Sequence, residues 1–115
     1  MLKEYEAFVL SVDKYTQLDY PLSHGFKQVL FAALGITGEG GEVADKVKKI
    51  LRDKQGIVSP TDCRELLLEL GDVQWYIAKM ARALGSNLSE VIAMNQVKLE
   101  DRAARNKING EGDNR

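Results

Sequence analysis

The stretch LGITGEGGEVADKVKKI, residues 34–50, carries the reading that decides the fold. Val43, Val47 and Ile50 recur at spacings of three and four, the repeat of one face of an α-helix. The same stretch holds Gly35, Gly38, Gly40 and Gly41, although glycine costs about 1 kcal/mol relative to alanine inside a helix. It also holds the acids Glu39, Glu42 and Asp45. At about 100° per residue, Glu39 falls at the edge of the apolar stripe and Glu42 flanks it, with Lys46 between them. Both glutamates therefore face inward or nearly so, while Asp45 faces solvent. The periodicity leaves two courses open: one helix running through the glycines, or a break near Gly35 to Gly38 with Gly40 and Gly41 in the first turn of a new helix.

Working outward, Leu2, Tyr5, Phe8, Val9, Val12 and Tyr15 predict a first amphipathic helix over residues 2–17, broken around Pro21. A second helical stretch starts near Phe26 and continues through Val29, Leu30 and Leu34 into the quoted segment, ending near Leu51. RDKQGIVSP, residues 52–60, reads as a connection. Ser59, Pro60 and Asp62 then suit N-cap, first helical position and capping-box acid, so a third helix starts near Pro60 and stops at Gly85. Asn87 and Glu90 open a fourth through Leu88, Val91, Ile92 and Leu99. No strand-like alternation or repeat is visible. The expected fold is all-α and four-helix bundle-like, with one helical domain over residues 1–105 and a polar tail over 106–115. Several short helices sharing a small core point to a homodimer or homotetramer.

Composition removes several functions. Sixteen basic and seventeen acidic residues in 115 give a net charge of -1, without the basic footprint of a nucleic-acid binder or a polybasic membrane anchor. A single cysteine, Cys63, forms no internal disulfide, and with one histidine, His24, there is no Cys/His cluster for zinc. The opening MLKEYEAFVL lacks an apolar stretch of signal-peptide length, and no segment approaches the roughly 18 apolar residues of a membrane span. A cytoplasmic location is the expectation.

The third helix repeats the arrangement of the second. In LLLELGDVQWYIAKM, residues 66–80, Glu69 lies within the arc of Leu66, Val73, Tyr76, Ile77 and Met80, and Asp72 sits beside it. Four carboxylates near one core cost several kcal/mol per ion in desolvation and repel one another unless protonated or neutralised. A cation resolves the conflict. Oxygen-only ligands suit a hard ion, Mg²⁺ or in its place Mn²⁺, and i, i+3 spacing lets each pair address it from one helix face. The fourth helix adds Asn95 inside its stripe, with Lys98 and Arg102 at the margin, a set suited to an anion beside the metal.

Glu39 and Glu42, followed after 26 intervening residues by Glu69 and Asp72, form ExxE(12-28)ExxD. With ALGITGEGGEVADKVKKILR, LLLELGDVQWYIAKMARALG and NQVKLEDR in that order, the chain resembles the MazG-like all-α nucleoside triphosphate pyrophosphohydrolases over about residues 26–105. The closing GEGDNR resembles tails of some small members. Gly38 departs from the pattern, standing where many members carry a further glutamate. The resemblance implies a dimerising, sometimes tetrameric, bundle and Mg²⁺-dependent cleavage of a nucleoside triphosphate to monophosphate and pyrophosphate. It implies Glu39, Glu42, Glu69 and Asp72 as metal ligands, with Glu39 or Glu42 accepting the proton of the attacking water. Lys98, Arg102 and Lys49 would counter phosphate charge, and Asn95 would donate to phosphate or sugar. The glycines would then spare room beside Glu39 and Glu42 for a neighbouring helix or the triphosphate.

Among other classes, ferritin-like di-iron proteins also place helix acids in a bundle, but their Glu-x-x-His motifs are absent. A non-catalytic nucleotide-binding or regulatory helical module is the alternative, and so much inward negative charge speaks against it. Phe8, Tyr15, Phe26, Phe31, Trp75 and Tyr76 are the side chains available for a base, most of them expected in the core.

Overall fold

Three of the four helices begin where a side chain satisfies free N–H groups; the first, after Met1, has no side-chain cap. Ser23 Oγ accepts from Phe26 N–H at 3.1 Å. Ser59 and Asp62 form a reciprocal capping box ahead of Pro60, and Asn87 Oδ1 accepts from Glu90 N–H at 3.0 Å. The computed structural model describes residues 1–15 and 19–114. The helices are α1 (Leu2–Val12), α2 (His24–Lys54), α3 (Pro60–Ala83) and α4 (Leu88–Ala104). The protein is thus all-α with four helices, and the described residues contain no strand.

α2 is continuous through the glycine cluster for 31 residues, which closes the question its periodicity left open. It ends at Gln55 and Gly56, both with positive φ, where Gly56 N–H returns to the Ile50 carbonyl at 3.2 Å. Lys54 Nζ then reaches Asp62 at 2.7 and 2.9 Å. The last residue of α2 is so tied to the first turn of α3, and the two helices fold back on each other as an antiparallel pair. α3 gives way to Gly85 at φ 78°, and Ser86 N–H closes on the Ala81 carbonyl at 2.8 Å. The Glu90 carboxylate takes the Ser86 hydroxyl.

Among the described residues, packing between helices is confined to α2 on α3 and α4 on α3. The buried apolar residues among those described are Ala32, Ile50 and Ala81. α1 packs on no other helix, so its stripe of Leu2, Tyr5, Phe8, Val9 and Val12 stays in water. It stops at Val12 rather than continuing to residue 17, with Asp13 extended; residues 16 and 17 of that expectation lie outside the described residues. The aromatics expected inside are also largely outside, Phe31 at 54% and Trp75 at 58% exposure. A radius of gyration of 19.7 Å compares with about 13 Å for a closed globule of this length. One chain therefore presents apolar helix faces without covering them.

Candidate metal centre

The antiparallel α2–α3 pair brings the two acid motifs together. Gly35 makes this approach close: a methyl group there would overlap the Tyr76 ring. Tyr76 is in turn held between Phe31, at 5.9 Å between ring centroids, and Trp75, at 4.9 Å edge-on. One turn further along α2, Glu39 meets Glu69 and Asp72 of α3. One carboxylate oxygen from each lies within 4.8 Å of the other two. Glu39 and Glu69 are half-buried and Asp72 is exposed, so the cluster has a protein side and a solvent side.

Positive charge is short at this place. Lys46 Nζ stands 3.7 Å from Glu69 and is shared with Glu65 at 3.5 Å. It is the one cation that pairs with the trio among the described residues. Burial pushes the Glu39 carboxyl above its ordinary value, and the charges of Asp72, Glu69 and Glu42 push it the same way. A convergent set of carboxylates with no histidine or thiolate fits a hard divalent ion.

The other expected site residues fall elsewhere. Glu42 is exposed on the next turn of α2, outside the converging trio, and its carboxylate makes no hydrogen bond or ion pair among the described residues. Lys49 pairs with Asp45 at 2.6 Å and Lys48 with the same carboxylate at 2.9 Å. Those two ammonium groups, Lys49 foremost, hold Asp45 at about 2, fully ionised and engaged away from the trio. Asn95 lies on α4 in apolar depressions against Ile77, Ala81 and Leu84 of α3 and its C-cap. Lys98 and Arg102 are engaged by the C-terminal segment, both within 3.2 Å of Asp113 Oδ1, and Arg102 is buried. None of Lys49, Asn95, Lys98 and Arg102 bonds to the three clustered carboxylates among the described residues.

Of the four glycines in the cluster, Gly35 meets a neighbour, whereas Gly38, Gly40 and Gly41 face open space. Two features escape a reading of the sequence. Lys79 Nζ sits 4.9 Å from the Phe31 ring centre and 5.3 Å from that of Trp75, for which the i, i+4 spacing from Trp75 is the available signal. Asp113 carries no signal, since the tail has no periodicity.

Residues 28–105 match the family described as the MazG nucleotide pyrophosphohydrolase domain. The chain is 48% identical over 85 residues to the Gene 37 protein of Mycobacterium phage L5, covering 74% of this chain and 75% of that one. No solved structure matches significantly.

Proposed function

The chain belongs to the MazG nucleotide pyrophosphohydrolase family, and from that premise we propose that it cleaves a nucleoside triphosphate to the monophosphate and pyrophosphate, using Mg²⁺, with Mn²⁺ able to replace it. The observation that carries this reading is the convergence of Glu39, Glu69 and Asp72 within 4.8 Å. A bound ion would supply neutralisation of phosphate charge and acidification of water. The chain's part is to hold and to accept. Glu39, Glu69 and Asp72 would hold the ion, with Glu42 beside them. Water attacks phosphorus, the anhydride between the α- and β-phosphates breaks, and pyrophosphate leaves. Glu42 is the proton acceptor, because its carboxylate stands next to the trio and is uncommitted. Glu39, the other candidate, is taken up in holding the ion. Lys98, Arg102 and Lys49 counter the remaining phosphate charge and Asn95 donates a hydrogen bond to phosphate or sugar.

The working unit is a homodimer or homotetramer. Its support is the apolar surface one chain leaves uncovered, with Leu67, Met94 and Val97 each about two-thirds exposed, more than a soluble monomer carries as scattered residues. Among the described residues no helix is long and apolar enough to cross a membrane. With a net charge of -1, free nucleotides in the cytoplasm suit the chain better than nucleic acid.

The test is a screen of the common ribo- and deoxynucleoside triphosphates with Mg²⁺, Mn²⁺ or chelator, separating the products. Metal-dependent monophosphate plus pyrophosphate is expected. Diphosphate plus phosphate, or binding without turnover in a folded assembly, refutes it, the latter in favour of a nucleotide-binding regulatory module.

A further inference from the structure

After α4 the chain reverses. Asn106 takes φ 55°, its N–H reaches the Ala103 carbonyl at 3.1 Å, and Lys107 N–H reaches that of Arg102 at 2.6 Å. Gly110 and Gly112, at φ 139° and 77°, then turn the tail back along the face bearing Lys98 and Arg102, one turn apart. Arg102 Nη2 donates to the Gly112 carbonyl at 3.3 Å, the Asp113 carbonyl at 2.9 Å and Asp113 Oδ1 at 3.2 Å. The same Oδ1 accepts from Lys98 Nζ at 3.1 Å. One tail oxygen thus bridges both cations.

Beneath this cover Arg102 is only 4% exposed. Burying a guanidinium is costly unless a counter-charge and acceptors are supplied. The acids nearest it on α4 are committed elsewhere, Asp101 to Arg105 at 2.7 Å and Glu100 to Gln96 at 2.7 Å. Asp113 is the counter-ion. The match is incomplete, because Arg102 Nε is buried with no hydrogen-bond partner. A tetrahedral phosphate offers several oxygens to a guanidinium fork and a lysine at once, and fills a donor that a single carboxylate oxygen leaves empty. The Asp113 side chain is 81% exposed against 5% for Arg102, so solvent and solute anions reach the pair from the carboxylate side.

We propose that residues 110–113 are a strap occupying the Lys98–Arg102 pair, and that a polyphosphate competes with Asp113 for that pair. This rests on the proposed function in taking the pair as phosphate-facing cations, but its test needs no turnover. Inorganic tripolyphosphate is titrated calorimetrically, without divalent metal, into the full chain and into two variants. Asp113→Asn removes the competing carboxylate and changes net charge. Gly112→Ala keeps every charge and strains the strap at its positive φ. Both are expected to bind tripolyphosphate more tightly, Asp113→Asn by about two- to fivefold, the scale of the exposed Lys98–Asp113 ion pair it removes. Tightening in Asp113→Asn alone is a net-charge effect and overturns the strap. Weaker or unchanged binding in both, or no binding by any of the three proteins, overturns it as well. A failed nucleotide screen with these expected affinities would instead count against the pyrophosphohydrolase reading and leave the strap standing.

Discussion

Replacing Gly35 by alanine tests whether the α2–α3 approach assembles the candidate metal centre. The added methyl overlaps the Tyr76 ring, and the ring has little room to swing, lying between Phe31 and Trp75. Overpacking of this kind costs about 1–3 kcal/mol, while Gly→Ala inside a helix returns about 1 kcal/mol. The net expectation is a loss of about 1 kcal/mol, which for a domain of this size lowers Tm by about 4 °C. At Gly41, where nothing lies within 4 Å, only the propensity term acts, and alanine there raises Tm by about 4 °C. The two variants should therefore part by about 8 °C in thermal unfolding followed by circular dichroism at one protein concentration. Gly35 stands one turn before Glu39, so pushing α3 away also separates Glu39 from Glu69 and Asp72, and the Mg²⁺ concentration giving half-maximal stabilisation should rise. Equal melting temperatures for the two variants, with unchanged Mg²⁺ response, would refute the reasoning.

Glu39→Gln removes one of three mutually repelling carboxylates, so the metal-free protein should melt no lower than wild type while most of its Mg²⁺-induced Tm rise disappears. The pH dependence follows from the raised Glu39 carboxyl: its contribution is present below the ordinary carboxylate range and lost as pH rises through the folded value. Metal-free melting scans should show that loss, and Mg²⁺ should remove it. Asp62 works in the opposite sense. Lys54, then the Ser59 N–H and hydroxyl, hold it at about 2, so its contribution is present above the ordinary carboxylate range and lost as pH falls from there toward the folded value. Ser59→Ala should cost about 1 kcal/mol through the lost cap, read by urea unfolding, and leave Mg²⁺ binding alone. Asp72→Asn and Glu42→Gln should each abolish turnover with helix content intact by circular dichroism; wild-type rates in either would sink the site assignment.

The helix starts at Ser59–Pro60 and Asn87 were legible because capping is local chemistry written in adjacent residues. So was the inward course of Glu39 and Glu69, since both sit within or beside apolar stripes. Glu42 was not separable from Glu39 by the same argument. Three residues advance the helix by about 300°, so which acid turns toward the partner depends on where α3 lies, and that is set by Gly35 and Tyr76. α1 misleads for a related reason: its stripe reads as core-facing, yet the single chain offers nothing to face. The tail was illegible, because its course follows from glycine dihedrals and one arginine.

The Lys54–Asp62–Ser59 contacts join α2 to α3 at the end remote from the acids. From Glu39 to Lys54 the helix rises about 22 Å. The hairpin is thus a long lever clamped at its base, and a change of about 3° in the angle between its arms moves the carboxylates by about 1 Å over that rise. Displacements of that size alter reaction rates substantially in a positioned site. Residues 55–58, which lie outside the acid cluster, consequently share with the Gly35–Tyr76 contact in setting the spacing of the three carboxylates, and substitutions there should change that spacing from a distance.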